Sequence, residues 1–109
     1  MKIAITSTGA SPDAPVDPRF GRAAFFVVFD TESGEFTVLG NTEGLNSAHG
    51  AGIKAAEMLS QLGVEVVITG NCGPKALVTL ETAGIKVVTG ATGTVREVLE
   101  KFRRGELGH

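Results

Sequence analysis

The sequence predicts a three-layer α/β/α fold: one five-stranded mixed sheet with helices on both faces. Three observations carry this. Two β-branched runs, Val64-Glu65-Val66-Val67-Ile68-Thr69 and Ile85-Lys86-Val87-Val88, each precede a glycine-containing turn and a helix-patterned stretch. An earlier pair of apolar runs is separated by only a short turn, which makes a hairpin. Finally, Gly63-Val64-Glu65-Val66-Val67-Ile68-Thr69-Gly70 resembles Gly84-Ile85-Lys86-Val87-Val88-Thr89-Gly90, as successive βα units of one sheet do. Strands one, four and five are then parallel through right-handed crossovers, strand two is antiparallel, and the expected order is 3-2-1-4-5.

The elements follow in order. Lys2-Ile3-Ala4-Ile5-Thr6 is short and mostly apolar, hence a central strand. Residues 7–21 form a long loop with three prolines and little apolar content, of which 7–17 is expected to be mobile without ligand. Ala24-Phe25-Phe26-Val27-Val28-Phe29 is the second strand, Thr31-Glu32-Ser33-Gly34 a turn, and Phe36-Thr37-Val38-Leu39 the third strand. A helix over about 51–62 carries an apolar stripe of Ile53, Ala56, Leu59 and Leu62 and stops at Gly63. The second helix, 74–83, has Pro74 at its first position and Gly84 after its end. Thr94 and Glu97 form a capping box that opens the third helix, which runs to about 104 with Gly105 as stop.

Composition narrows the function classes. The chain has 109 residues, read as a single domain over 1–109, and a 42% hydrophobic content that argues against disorder. Ten Lys and Arg against twelve Asp and Glu leave no basic excess for a nucleic-acid surface. No stretch suits a membrane span, and the opening residues hold no export signal. One cysteine excludes an internal disulfide and fits a reducing cytoplasm.

The topology sends several polar loops to the carboxyl ends of the parallel strands, where open α/β sheets bind ligands. Arg19 and Arg22 lie in Pro18-Arg19-Phe20-Gly21-Arg22; His49 and Gly50 precede the first helix; Asn71, Cys72 and Gly73 precede the second; Thr92 and Gly93 precede the third. Three positive helix ends and two arginines suit an anionic ligand. His49 and Cys72 are residue types that bind metals. A helix N-terminus lowers a thiol pKa, which would favour a Cys72 thiolate. Each residue also has a plainer reading. The glycines serve turns, the arginines pair with Asp13 or Asp17, His49 is solvated, and Cys72 is a small turn residue. The spacing of His49 and Cys72 fits no closed zinc site.

Three ordered motifs carry a family resemblance: Pro18-Arg19-Phe20-Gly21-Arg22-Ala23 before a Phe/Val strand; His49-Gly50-Ala51-Gly52, a helix, then Val66-Val67-Ile68-Thr69-Gly70-Asn71-Cys72-Gly73-Pro74-Lys75-Ala76; and Gly84-Ile85-Lys86-Val87-Val88 with Gly93-Thr94-Val95 and the closing helix. Together they resemble the dinitrogenase iron–molybdenum cofactor biosynthesis family, which includes NifX-like proteins and the C-terminal domain of NifB-like proteins. The resemblance implies a ribonuclease H-like fold and the binding or carriage of iron–sulfur or iron–molybdenum cluster precursors, with cluster donor and acceptor proteins as partners. The expectation is a non-catalytic carrier, with His49 and Cys72 as metal ligands and with Arg19, Arg22, Gly50, Asn71, Gly73, Thr92 and Gly93 around the cluster. The rivals are a phosphate or nucleotide module, which the same helix ends could serve, and a nuclease. The first strand lacks the carboxylates that a two-metal nuclease needs.

Overall fold

The computed structural model describes residues 1–42 and 50–107. The elements are β1 (Lys2–Ser7), β2 (Phe25–Asp30), β3 (Phe36–Gly40), α1 (Ala51–Gln61), β4 (Val64–Ile68), α2 (Pro74–Thr82), β5 (Lys86–Val88) and α3 (Val95–Arg103). The five strands form one sheet in the order β3-β2-β1-β4-β5. β2 runs antiparallel to β1 and β3, whereas β1, β4 and β5 are parallel. This is the mixed sheet the sequence predicts.

Strand alternation splits the core into two layers. Ala4, Phe26, Val28 and Val67 share one cluster with Ala55, Ala56 and Leu59 of α1 and Ala76 and Leu80 of α2. Ile3, Ile5, Val27, Phe29, Val66 and Ile68 face the other way and pack with Val95, Val98 and Leu99 of α3. Among the described residues, two helices therefore cover one face and one the other. Each buried aliphatic side chain of that kind contributes about 1.5–3 kcal/mol, so both faces of β1 and β4 are strongly specified.

The helix ends follow local chemistry. Gly63, Gly84 and Gly105 adopt left-handed φ values of 80°, 80° and 76° just beyond the three helices, a conformation that costs other residues steric energy. At α3 the expected capping box is complete: the Glu97 N–H donates to Thr94 Oγ1 at 3.1 Å, and the Thr94 N–H donates to Glu97 Oε1 at 3.0 Å. The bond from the Thr94 N–H, followed by that from the Thr94 hydroxyl, stabilises the ionised Glu97 carboxylate and lowers its pKa.

The long loop after β1 is better anchored than its composition suggests. The Val16 N–H donates to the Gly93 carbonyl at 2.8 Å, and the Asp17 N–H to the Thr6 carbonyl at 2.9 Å. Val16 is buried in the α3-side cluster. Asp13 pairs with Arg96 at 2.9 Å. The expectation of a loose loop overlooked these tertiary bonds, which come mostly from backbone groups and one small apolar side chain. No helix among the described residues is long and apolar enough to cross a membrane.

Candidate functional site

The segment 17–24 leaves the end of β1 and turns back into β2, and its shape is held at both ends. Asp17 is a buried carboxylate, its side chain only 2% exposed. Its Oδ1 accepts from the Arg19 N–H at 3.0 Å, and its Oδ2 from the Ala24 N–H at 3.4 Å. From the other side, Asn41 Nδ2 donates to the Gly21 carbonyl at 3.1 Å and the Ala23 carbonyl at 2.8 Å. In between, Phe20 is buried against Phe26, with ring centroids 5.6 Å apart. The Phe20 N–H donates to the Asn71 carbonyl at 3.1 Å, tying the segment to the turn before α2.

Close backbone approaches explain the glycines here. A Cβ on Gly21 would lie 2.6 Å from the Gly52 nitrogen, and one on Gly70 would lie 2.6 Å from the Pro18 Cα. A Cβ on Gly52 would meet the Ala76 Cβ at 2.8 Å. The loop, α1 and α2 therefore meet almost backbone to backbone.

Beside this junction lies an open cleft of about 560 Å³. Arg19, Gly21 and Arg22 line it from the loop, Gly50 to Ile53 from the start of α1, and Asn71, Gly73, Pro74 and Lys75 from the start of α2. Both helices are capped by glycine, Gly50 and Gly73, with no side-chain cap bond. Their positive dipole ends thus face a cavity that also holds three cationic side chains. No carboxylate is among the described residues lining it. Chemically, that arrangement suits a small anion of high charge.

The third helix end is differently used. At α3 the Val95 N–H donates to the Ala14 carbonyl at 3.0 Å and the Arg96 N–H to the Pro12 carbonyl at 2.8 Å. With the Glu97 N–H bonded to Thr94, the first-turn donors are satisfied by the protein itself. Thr92 and Gly93 belong to this end and do not line the cleft; the Gly93 carbonyl instead receives the Val16 N–H. The expected convergence of three helix ends is a convergence of two, because the loop folds over the third.

Cys72 also differs from expectation. It is half-buried, packs against the apolar cluster beneath α1 and α2, and is not among the cleft-lining residues. Burial first, then the negative charge of Glu81, push its thiol pKa above the ordinary 9.0. The lowering expected from the helix end is reversed, because Cys72 precedes the Gly73 cap and sits in apolar surroundings where desolvation dominates. His49 lies outside the described residues. Among the described residues there is no group of three or more His, Cys, Asp or Glu side chains able to hold a metal ion. The described donor set thus suits an anionic group held by charge and N–H bonds, and among the described residues no multi-ligand coordination sphere is supplied.

Arg19, Arg22, Gly50, Asn71 and Gly73 do come together at the cleft. Sequence reasoning missed two contributors, Lys75 and Asn41, and named Asp17 only as a partner for the arginines, a pairing that Arg19 makes. Lys75 was hidden as an ordinary second helical residue. Asp17 had a signal, since Asp before Pro starts turns, but its burial had none. Asn41 follows the last residue of β3 without any distinctive local pattern.

Comparison with known proteins agrees with this architecture. The model of the dinitrogenase iron–molybdenum cofactor family matches residues 1–105. The apo form of the orange protein from Desulfovibrio gigas superposes with a TM-score of 0.93 at 44% identity, over 97% of this chain and 89% of that one. A Thermotoga protein named for NifB, solved by NMR, gives 0.87 at 41% identity, over 99% and 91% of the two chains. An uncharacterised protein of Methanocaldococcus jannaschii is 33% identical over 115 residues, spanning 98% of this chain and 89% of its own length.

Proposed function

The chain belongs to the dinitrogenase iron–molybdenum cofactor family, and on that footing we propose that it is a non-catalytic carrier that binds an anionic metal cluster, an iron–sulfur or iron–molybdenum species, in the cleft between α1 and α2. The observation that carries the reading is the charge pattern. Arg19, Arg22 and Lys75 and two glycine-capped helix ends surround about 560 Å³, with no carboxylate among the described lining residues. That volume is ordinary for a small-ligand site. Two unit charges 4 Å apart attract by about 1 kcal/mol in water and about 4 kcal/mol in the intermediate dielectric near a protein surface. Three cations plus two dipole ends therefore favour a multiply charged cluster over a neutral ligand.

The orange protein supports the same reading, since the structure that resembles this chain is its apo form, the state without a bound group. Holding the cluster by charge leaves it exchangeable, which suits passage between a donor and an acceptor protein. In this reading Cys72 is a packing residue whose thiol stays protonated at neutral pH, and His49 is the remaining candidate for a direct bond to metal.

The test is anaerobic reconstitution with ferrous iron and sulfide, with and without molybdate, followed by gel filtration, absorbance and metal analysis. Retention of metal and sulfide at low salt and their release at high salt is the expected result. Stoichiometric retention unaffected by high salt would overturn the electrostatic account. Stabilisation by nucleotides in a parallel thermal-shift screen, with no cluster retained, would favour the phosphate-binding reading that the same helix ends could serve.

A further inference from the structure

We infer that Asp17 is the positioning residue of the cleft: it orients Arg19 toward the ligand without touching the ligand itself. The inference rests on the anionic-ligand reading above. Its ground is the way one buried carboxylate is wired. The Asp17 backbone is bolted to the end of β1, where its N–H donates to the Thr6 carbonyl at 2.9 Å and its carbonyl accepts from Thr6 Oγ1 at 2.7 Å. The Thr6 and Thr69 hydroxyls are hydrogen-bonded at 2.9 Å, so β1 and β4 share this anchor. From that fixed point the carboxylate reaches the Arg19 N–H, the Arg19 Nε at 3.3 Å and the Ala24 N–H.

A carboxylate is a costly way to close a turn, because burying a charge forfeits its hydration. An amide or hydroxyl could accept two backbone N–H bonds more cheaply. What the charge adds is a grip on Arg19, whose side chain is 60% exposed at the cleft while Asp17 is 2% exposed. Guanidinium is planar with donors in a fixed fork. Engaging Nε therefore sets the plane of the group and leaves its Nη donors for a ligand. Ordering the side chain in advance also spares part of the rotamer entropy that binding would otherwise cost.

The arrangement makes a prediction of definite sign. By charge alone, a carboxylate beside an anion site weakens anion binding, so Asp17→Asn would tighten it. By positioning, Asp17→Asn loosens Arg19 and weakens binding. With molybdate as the probe, titrated calorimetrically at low salt, Asp17→Asn is expected to bind about five- to tenfold more weakly, the size of a coupling between contacting residues. In an Arg19→Gln background Asp17→Asn should cause little further loss, whereas combined with Lys75→Ala its effect should multiply. Binding by Asp17→Asn equal to or tighter than wild type would overturn the inference.

Two further readouts remove these dependences: Arg19→Lys does not need the Asp17 variant to fold, and relaxation of the wild-type protein needs neither that variant nor the ligand. Arg19→Lys keeps the charge but has no fork for Asp17 to hold, so it should bind molybdate as poorly as Arg19→Gln; full binding by Arg19→Lys would reduce Arg19 to a charge and defeat the inference. In the ligand-free protein, ¹⁵N relaxation of the Arg19 Nε group should show an ordered side chain, with Arg22 and Lys75 unaltered in Asp17→Asn while Arg19 becomes mobile. A wild-type Arg19 Nε as mobile as that of an unstructured arginine would overturn it. If wild type takes up no molybdate, the anion site fails as a simple oxyanion receptor, and the Nε relaxation still decides the role of Asp17.

Discussion

Replacing Gly21 with alanine should loosen the junction that forms the cleft, and the structure sets the size of the effect. The new Cβ would lie 2.6 Å from the Gly52 nitrogen, 2.7 Å from its Cα and 3.1 Å from the Ala51 carbonyl carbon. All three are backbone atoms, so no flexible side chain can yield. Moving from 2.6 Å to the 3.4 Å at which ordinary contact begins requires the loop and α1 to separate by 0.8 Å. Gly21 is not among the glycines with positive φ, so backbone strain plays no part and the cost is overpacking. Overpacking of a close-packed site costs about 1–3 kcal/mol. For a chain of this size that corresponds to a fall of roughly 5–15 °C in Tm. Gly73→Ala is the control: it also borders the cleft, has an ordinary φ of −63°, and has no atom within 4 Å of its built Cβ. Its lower unfolded-state entropy roughly offsets the poorer N-cap, leaving stability within about 0.5 kcal/mol of wild type. Thermal unfolding followed by circular dichroism reads both. Equal midpoints for Gly21→Ala and Gly73→Ala would refute the argument that backbone contact at Gly21 sets the geometry of the cleft.

Lys75→Ala should weaken cluster or molybdate retention several-fold at low salt and much less at 1 M salt, where the screening length falls to about 3 Å; an equal loss at both salt levels would show that Lys75 acts through packing. The raised pKa of Cys72 means that its contribution to stability is fully present below 9.0, the ordinary value of the unfolded chain, and is lost as pH rises through the higher folded value. Urea unfolding should therefore show the stability gap between wild type and Cys72→Ala narrowing between pH 8 and pH 10, and a constant gap would contradict the burial of the thiol. Amide exchange at Val16 and Asp17 should be slow, within reach of the rates in β4, because their N–H groups are bonded to Gly93 and Thr6. Exchange there as fast as at an unstructured peptide would restore the picture of a mobile loop.

The sheet was legible because its signals are local and redundant. Alternation in β1, β2 and β4 assigns each side chain to a face, and Gly63 and Gly84 mark where each helix must end before a parallel strand begins. Strand limits moved by about one residue, as at Ser7, which extends β1 by pairing with Phe25. The site was legible only in part. Arg19, Arg22, Gly50 and Gly73 were findable because topology alone carries them to one end of the sheet. The closure of the α3 end was not, because the groups that close it are the carbonyls of Pro12 and Ala14, which any residues would offer. Nor was the inward packing of Cys72, since the turn sequence does not say which way a side chain before the cap will point.

What the charge total hides is where the charge acts. The chain has a formal net charge of −2, so its far field does not attract anions. Three of its ten Lys and Arg residues nevertheless line one cleft, beside two helix ends. Such a site is felt within about a Debye length, roughly 8–10 Å at moderate salt. A long polyanion must bring most of its charge against the remaining, net acidic surface, whereas a compact cluster places all of its charge inside the cleft. On the proposed function, the contrast between global and local charge favours a small, dense anion over a long one. Asp17 fits the same logic: a carboxylate beside the site lowers its local charge, and its burial beneath Arg19 keeps it away from the ligand while its hydrogen bonds hold the arginine in place.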